Sequence, residues 1–119
     1  IAQGAQFQSG TTYLEKVTQD GKLITGQNPW SVWKLAEKVV SELGYQPKPR
    51  ERTPEEHSIE LLMTYDSLGL DAAKVALQQK PQAYQRILII MHSVLAVMQF
   101  EISKGIDLLS LANELKSLN

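Results

Sequence analysis

The stretch QAYQRILIIMHSVLAVMQFEISK, residues 82–104, contains the most apolar run of the chain and decides its fold class. Its polar positions Gln85, His92 and Gln99 are seven residues apart. On a helix this spacing places them in one narrow polar stripe, with apolar residues on all other sides. This pattern predicts one long helix, mostly buried at the centre of a helical bundle and ended by Gly105. The run is too short and too polar to span a bilayer, so we expect no membrane insertion.

Capping signals place a helix before this long one. Thr53 and Glu56 have the spacing of a capping box, and Pro54 stands at the first helical position. These residues predict a helix from Pro54 to about Leu68, stopped at Gly69.

Two shorter helices complete the C-terminal half of the prediction. Asp71 should cap the segment AAKVALQQ, which ends near Pro81, and Asp107 should cap a last helix. The last helix has five apolar residues on one side: Leu108, Leu111, Ala112, Leu115 and Leu118. The last 66 or so residues could therefore close a small core of their own.

The N-terminal part reads as a β-hairpin followed by a helix. Residues 11–18, TTYLEKVT, are rich in β-branched and aromatic types, Asp20-Gly21 suits a two-residue turn, and KLIT reads as the returning strand. Two strands alone are only marginally stable in water, so this hairpin calls for a larger sheet. Asn28 should cap the following helix, with Pro29 in its first turn and Gly44 as its stop.

The expected fold class is mainly α, a bundle of about five helices with an N-terminal β-hairpin. We divide the chain into residues 1–45, a Pro-interrupted linker at 46–52, and a helical domain at 53–119. The linker's basic cluster is balanced by neighbouring glutamates, so we interpret it as solvated rather than as a nucleic-acid site. The cluster consists of Lys48, Arg50 and Arg52.

Composition narrows the possible functions. The chain has 119 residues, a net charge of −1 and no cysteine. It therefore carries no disulfide, thiolate metal site or cysteine nucleophile, and shows no charge footprint for nucleic acid or anionic membrane. The first ten residues lack a signal pattern and read as a cut end, and we expect a cytoplasmic protein.

Residues 20–45, DGKLITGQNPWSVWKLAEKVVSELGY, resemble the C-terminal end of the ThiJ/PfpI superfamily, the class I glutamine amidotransferase-like proteins, in its glyoxalase III and chaperone-like branch. Matching positions run through LITGQNP and the LAE of the helix, and YLEKVTQ fits the preceding strand. The resemblance covers roughly residues 5–45. The helical remainder resembles no family that we recognise.

The resemblance implies a doubly wound α/β parent with a nucleophilic cysteine, a histidine and a supporting acid, acting on small carbonyl compounds as a glyoxalase, deglycase, hydrolase or chaperone. In the family these residues precede the matching segment, and none maps onto this chain. The resemblance places the loop Gly26, Gln27, Asn28 and Pro29 at the pocket edge. We therefore expect the chain itself to be non-catalytic and to need no cofactor.

Other candidate residues have weaker signals. Trp30 and Trp33, three apart on the first helix, could form an interaction surface or simply pack against a sheet or the helical domain. His57 lies beside Glu56 and Glu60 in what reads as a solvated first turn rather than a metal site. His92 could pair with His57 or hold a ligand, but a satisfied, half-buried histidine is commoner.

Two functions of different classes follow. One is a C-terminal fragment of a ThiJ/PfpI-like protein that supplies scaffold and a pocket edge. The alternative is a helical module, residues 53–119, that dimerises or binds a partner with no enzymatic role. Because the hairpin edges and the Trp-bearing helix lack cover, we expect a homo-oligomer or union with a missing N-terminal portion of the same protein.

Overall fold

The chain folds into two compact units, one ending at Arg50 and the other beginning at Glu51, in a computed structural model that describes residues 4–118. The mainly α class with an N-terminal hairpin is confirmed. The first unit holds β1 (Val17–Asp20), β2 (Leu23–Gly26) and α1 (Val32–Glu42). The second holds α2 (Pro54–Leu68), α3 (Leu70–Gln79), α4 (Arg86–Met98) and α5 (Ile102–Leu118). Residues 1–3 of the predicted cut end and residue 119 of the predicted helical domain lie outside the described residues.

The β-hairpin is shorter than predicted and turns one residue later. β1 and β2 pair antiparallel from Val17 opposite Gly26 to Asp20 opposite Leu23, so the turn is Gly21-Lys22. Gly21 adopts a φ of +59°, which glycine allows at no steric cost.

The predicted start of the first strand at residue 11 is wrong. The amide of Leu14 donates to the Thr11 carbonyl at 3.2 Å, closing a turn, and Tyr13 has a left-handed φ of 63°. This turn buries the Leu14 side chain, which is 4% exposed. Burial of one leucine thus outweighs the β propensity of the residues around it.

The predicted cap of the first helix is confirmed. Asn28 is extended, and its side-chain oxygen accepts from the Trp30 amide at 3.0 Å. The chain first makes a short 3₁₀ turn, Pro29–Ser31, and then enters α1, after which Gly44 takes a φ of +86°. None of the eleven residues of α1 is buried.

The second unit opens with the predicted capping box. The Thr53 hydroxyl accepts from the Glu56 amide at 3.2 Å, and the Glu56 carboxylate accepts from the Thr53 amide at 2.8 Å. Gly69, with a φ of +91°, ends α2 as predicted and also precedes α3 directly. Asp71 is therefore in the first turn of α3 and is not its cap, which corrects the prediction.

The single long helix predicted over residues 82–104 is wrong. A 3₁₀ turn covers Pro81–Ala83, and α4 and α5 are separate helices joined by a reversal at residues 99–101. Phe100 makes this reversal with a φ of 62°, and the Glu101 amide donates to the Ala96 carbonyl at 2.9 Å. Gly105 and Asp107, predicted as breaker and cap, both lie inside α5.

The core of the second unit is a layer of aliphatic side chains from all four helices. Its largest fully buried members are Ile59, Leu61, Leu62, Leu77, Ile89, Leu108, Leu111 and Leu115. In the last helix Leu108, Leu111, Ala112 and Leu115 are buried together, as the apolar spacing predicted. Leu118, predicted on the same side, is exposed at the end of the helix. Ser58 on α2 is also fully buried.

Candidate functional site

The loop after β2 uses its side-chain amides within its own unit. Gln27 accepts from the Gly10 amide at 2.7 Å and donates to the Thr11 carbonyl at 2.9 Å. Asn28 donates to the Leu14 carbonyl at 2.6 Å while its oxygen caps the helix. These bonds fasten residues 10–14 to the strand–helix junction, so the loop has a clear structural role.

A buried serine completes this fastening. Ser31 is fully buried, and its Oγ both accepts from the Lys16 amide and donates to the Lys16 carbonyl, each at 3.0 Å. A Cβ on Gly26 would come within 3.0 Å of the Ser31 Cβ. Glycine at position 26 therefore allows the close approach of β2 to the helix start.

A shallow hollow borders the same junction. It has a volume of about 480 Å³ and lies between the hairpin and residues 5–8, with Gly26 and Gln27 in its wall. Its charged lining residues are Lys16 and Asp20. The assignment of Gly26, Gln27, Asn28 and Pro29 to a pocket edge stays a prediction.

Trp30 and Trp33 are each half-buried. Val32 and Val39 of α1 and Leu43 just after it are exposed. The role of Trp30 and Trp33 as an interaction surface also stays a prediction.

The two histidines have separate surroundings. His57 Nδ1 lies 3.9 Å from a Glu60 carboxylate oxygen, and its ring meets Tyr84 edge to face with centroids 6.4 Å apart. His92 is buried on α4, with Nδ1 3.0 Å from the Leu88 carbonyl oxygen. The predicted polar stripe is therefore wrong at His92, because this side of α4 faces the core and not solvent. Among residues 4–118, no group of three acidic or histidine side chains could hold a metal ion.

A tyrosine–carboxylate pair links α2 to α5. The Tyr65 hydroxyl donates to Asp107 Oδ2 at 2.7 Å. Burial, followed by the hydrogen bond to Asp107 and the charge of that carboxylate, raises the pKa of Tyr65 well above its usual value. The pair therefore joins two helices, and its hydroxyl stays protonated to a higher pH than that of an ordinary tyrosine.

Exposed apolar side chains cover one side of the helical hairpin formed by α4 and α5. We call this surface the α4–α5 face, and its members are between 47% and 91% exposed. They are Ile87, Met91, Val94, Val97, Met98, Phe100, Ile102, Ile106 and Leu109.

The exposed stripe of α4 lies opposite its buried side. Ile87, Met91, Val94 and Met98 recur at intervals of four, three and four residues, which aligns them along one side of a helix. The buried residues of the helix are Leu88, Ile89, His92, Ser93 and Ala96. Since a helix that is apolar all round is normally covered all round, this stripe calls for a second covering layer.

The stripe of α5 extends the same surface. Ile102, Ile106 and Leu109 have the same four-and-three spacing. Gly105 on α5 packs against Val97 on α4, which fixes the sides on which the two antiparallel helices meet. In each helix the exposed stripe is rotated about a quarter turn from that contact. Viewed along the chain direction, the rotation has the same sense in both helices. Antiparallel neighbours are related by an approximate two-fold axis, so both stripes lie on one side of the hairpin.

Sequence reasoning missed this surface although its signal was present. The apolar positions of residues 87–98 predict a buried helix with one polar stripe. The alternative pattern, Ile87, Met91, Val94 and Met98 on the side opposite Ser93, is equally visible in the sequence. Periodicity identifies the sides of a helix, but only tertiary contacts decide which side is covered.

Comparison with known protein families, with curated proteins and with solved structures finds no match to this chain. Within the described residues, no helix combines the length and apolar character that crossing a membrane requires.

Proposed function

We propose that residues 51–118 are a helical association module with no catalytic role. It binds a partner that packs on the α4–α5 face. The observation that carries this proposal is the exposed stripe opposite the buried side of α4. Between Ile87 and Met98 the chain has no acidic or basic residue other than His92, which is buried. The α4 part of the face therefore offers apolar contact area and no exposed acid or base.

The size of the face also favours association. Monomeric proteins rarely expose contiguous apolar patches beyond a few hundred Å². The nine large side chains of the α4–α5 face, each 47% to 91% exposed, together expose on the order of 1,000 Å². At about 25 cal/mol per Å², covering most of that area supplies ample free energy for a stable complex even after the entropic cost of association.

Methionine oxidation tests the association function directly. The three methionines are Met91 and Met98 on the face and Met63, half-buried on α2, as an internal reference. A synthetic amphipathic helical peptide of leucine and lysine should slow peroxide oxidation of Met91 and Met98 several-fold relative to Met63. Increasing chain concentration should have the same effect if copies of the chain cover the face.

Paired glutamate variants give the control. Val94→Glu, on the face, should remove the protection, whereas Val75→Glu, at an exposed position of α3 outside the face, should leave it intact. Rapid oxidation of Met91 and Met98 at every chain concentration, with and without peptide, would contradict an association function.

For the first unit we propose a second role, as the closing strand, loop and helix of a ThiJ/PfpI-like α/β domain in a longer cytoplasmic protein. The resemblance of residues 5–45 to that superfamily suggests it. The absence of any buried residue from α1, and a hairpin of only two described strands, favour a missing sheet as its natural partner. The parent would act on small carbonyl compounds through an upstream cysteine.

Methylglyoxal turnover tests this second role. The 119-residue chain should show no turnover, because it has no cysteine, whereas the chain extended by its upstream sequence should be active. Replacement of the upstream cysteine by serine should abolish that activity. Turnover by the 119-residue chain alone, or an upstream sequence without a cysteine, would refute the assignment.

A further inference from the structure

We infer that the occupant of the α4–α5 face is a second copy of this chain, packed across a two-fold axis that passes α4 between Met91 and Val94. This inference rests on the proposed association function and specifies its partner. The stripe of α4 is symmetric about that point, since Ile87 and Met98 are equally distant from it, as are Met91 and Val94. An antiparallel pairing of two α4 helices would therefore bring Ile87 of one copy to Met98 of the other, and Met91 of one to Val94 of the other.

The exposed area fits a two-fold dimer. A standard protein–protein interface buries roughly 800 Å² on each partner, and the α4–α5 face offers on the order of 1,000 Å² per chain. A dimer across this face would reach the standard size with apolar side chains alone. No second surface is needed to reach that size.

The charge pattern favours self-pairing as well. In a two-fold interface each side chain near the axis meets copies of the same small set of residues, so any charge there would meet a like charge. Residues 87–98 contain no Asp, Glu, Lys or Arg. In the α5 part of the hairpin, Glu101 and Lys104 have opposite charges and are joined in an ion pair at 3.6 Å.

The centre of the face has residues suited to close helix packing. Val94 is small enough to let two helices approach, and Met91 is a flexible side chain that adapts to the space left beside it. Packed helices lie about 8–10 Å apart, which puts the two Val94 Cα atoms of the proposed dimer roughly 6 Å from each other. That separation is within the range that a disulfide can bridge.

A single cysteine placed at Val94 tests this geometry, because the chain has no cysteine of its own. The full chain carrying Val94→Cys should form a disulfide-linked dimer under mild oxidation, at least ten times faster than the chain carrying Val75→Cys. The unmodified chain should have the mass of two copies by light scattering. Val94→Glu should have the mass of one copy while keeping its helical circular dichroism.

The outcomes separate this inference from the association function. A one-copy mass, or cross-linking of Val94→Cys no faster than Val75→Cys, would overturn the two-fold dimer, as would a mass above two copies. If the helical peptide nevertheless protects Met91 and Met98 from oxidation, the association function stands and its partner is a different helix. If peptide protection is also missing, both proposals fail.

Discussion

Gly105 on α5 lies so close to Val97 on α4 that a Cβ on the glycine would come within 2.6 Å of the valine Cγ2. The same glycine accepts a hydrogen bond from the buried Ser93 hydroxyl, at 2.7 Å from its carbonyl oxygen. Gly105 is thus a point of close approach in the helical hairpin, where it permits contact between helices rather than ending one.

Gly105→Ala should destabilise the second unit despite alanine's higher helix propensity. Propensity alone would add about 1 kcal/mol to the free energy of unfolding, whereas overpacking costs about 1–3 kcal/mol. We therefore expect a net loss of up to about 2 kcal/mol in urea unfolding followed by circular dichroism at fixed chain concentration.

A double-mutant cycle with Val97→Ala provides the control. Removing the two γ-methyl groups should recover most of the loss caused by Gly105→Ala, because the clash is with one of them. A stability gain from Gly105→Ala alone would show that the two helices are not in close contact at this point.

Asn28→Ala should loosen the first unit without affecting the second. The substitution removes both the cap of the Trp30 amide and the bond to the Leu14 carbonyl, and a lost cap costs about 1 kcal/mol. Both tryptophans of the chain, Trp30 and Trp33, lie in this unit, so their fluorescence in urea reports its unfolding alone.

Asn28→Asp distinguishes the two bonds of that side chain. Aspartate keeps an acceptor for the Trp30 amide but has no N–H to donate to Leu14, so its loss should be intermediate. Identical fluorescence transitions for native chain and Asn28→Ala would refute the structural role of the loop.

Ser58→Ala should be costly for a small substitution. The Ser58 hydroxyl is fully buried, donates to the Pro54 carbonyl and accepts from the Gln85 amide, each at 2.7 Å. Without it the Gln85 amide loses this acceptor at the start of α4, which should lower the free energy of unfolding by about 1–3 kcal/mol.

Ser67→Ala is the matched control on the same helix. Its hydroxyl donates to the Met63 carbonyl at 2.7 Å but is exposed, so its loss should change stability by less than about 0.5 kcal/mol. Equal effects of the two substitutions in urea unfolding would contradict the bond between Ser58 and the Gln85 amide.

Tyr65 should make the second unit sensitive to alkaline pH. Its pKa is raised in the folded state, first by burial and then by Asp107, so folding favours the protonated hydroxyl. This stabilisation is fully present below the usual tyrosine pKa of 10.0 and is lost as pH rises above it. Unfolding free energies measured from neutral pH upward should fall less steeply for Tyr65→Phe than for the native chain.

Asp107→Asn checks the cause of the shift. It keeps a side-chain oxygen for Tyr65 but removes the charge, so the alkaline fall in stability should become shallower. Tyr84→Phe serves as a second comparison, since burial also raises the pKa of Tyr84. An unchanged pH profile for Tyr65→Phe would disprove the linkage.

The sequence was a good guide wherever a local signal decides the structure. The capping box of Thr53 and Glu56, the cap at Asn28 and the stop at Gly69 all depend on residues within a few positions of each other, and all three are confirmed. The core side of the last helix was also predicted, because Leu108, Leu111 and Leu115 recur at three- and four-residue spacing.

The wrong prediction of where the helix breaks in the C-terminal half has a different cause. The reversal at residues 99–101 uses Phe100 with a positive φ, although no glycine, proline or asparagine marks it. Gly105, the conventional breaker, serves helix packing instead. Neither fact is visible in local sequence, because both depend on how α4 and α5 pack.

One side of helix α4 packs in the core and the opposite side lies on the α4–α5 face. Measured stability should therefore depend on whether that exposed side is covered. Any occupant of the exposed side binds only the folded helix, so by mass action it shifts the unfolding equilibrium toward the native chain. For a self-associating chain the melting temperature would then rise on concentrating the sample, and dilution alone would weaken the fold.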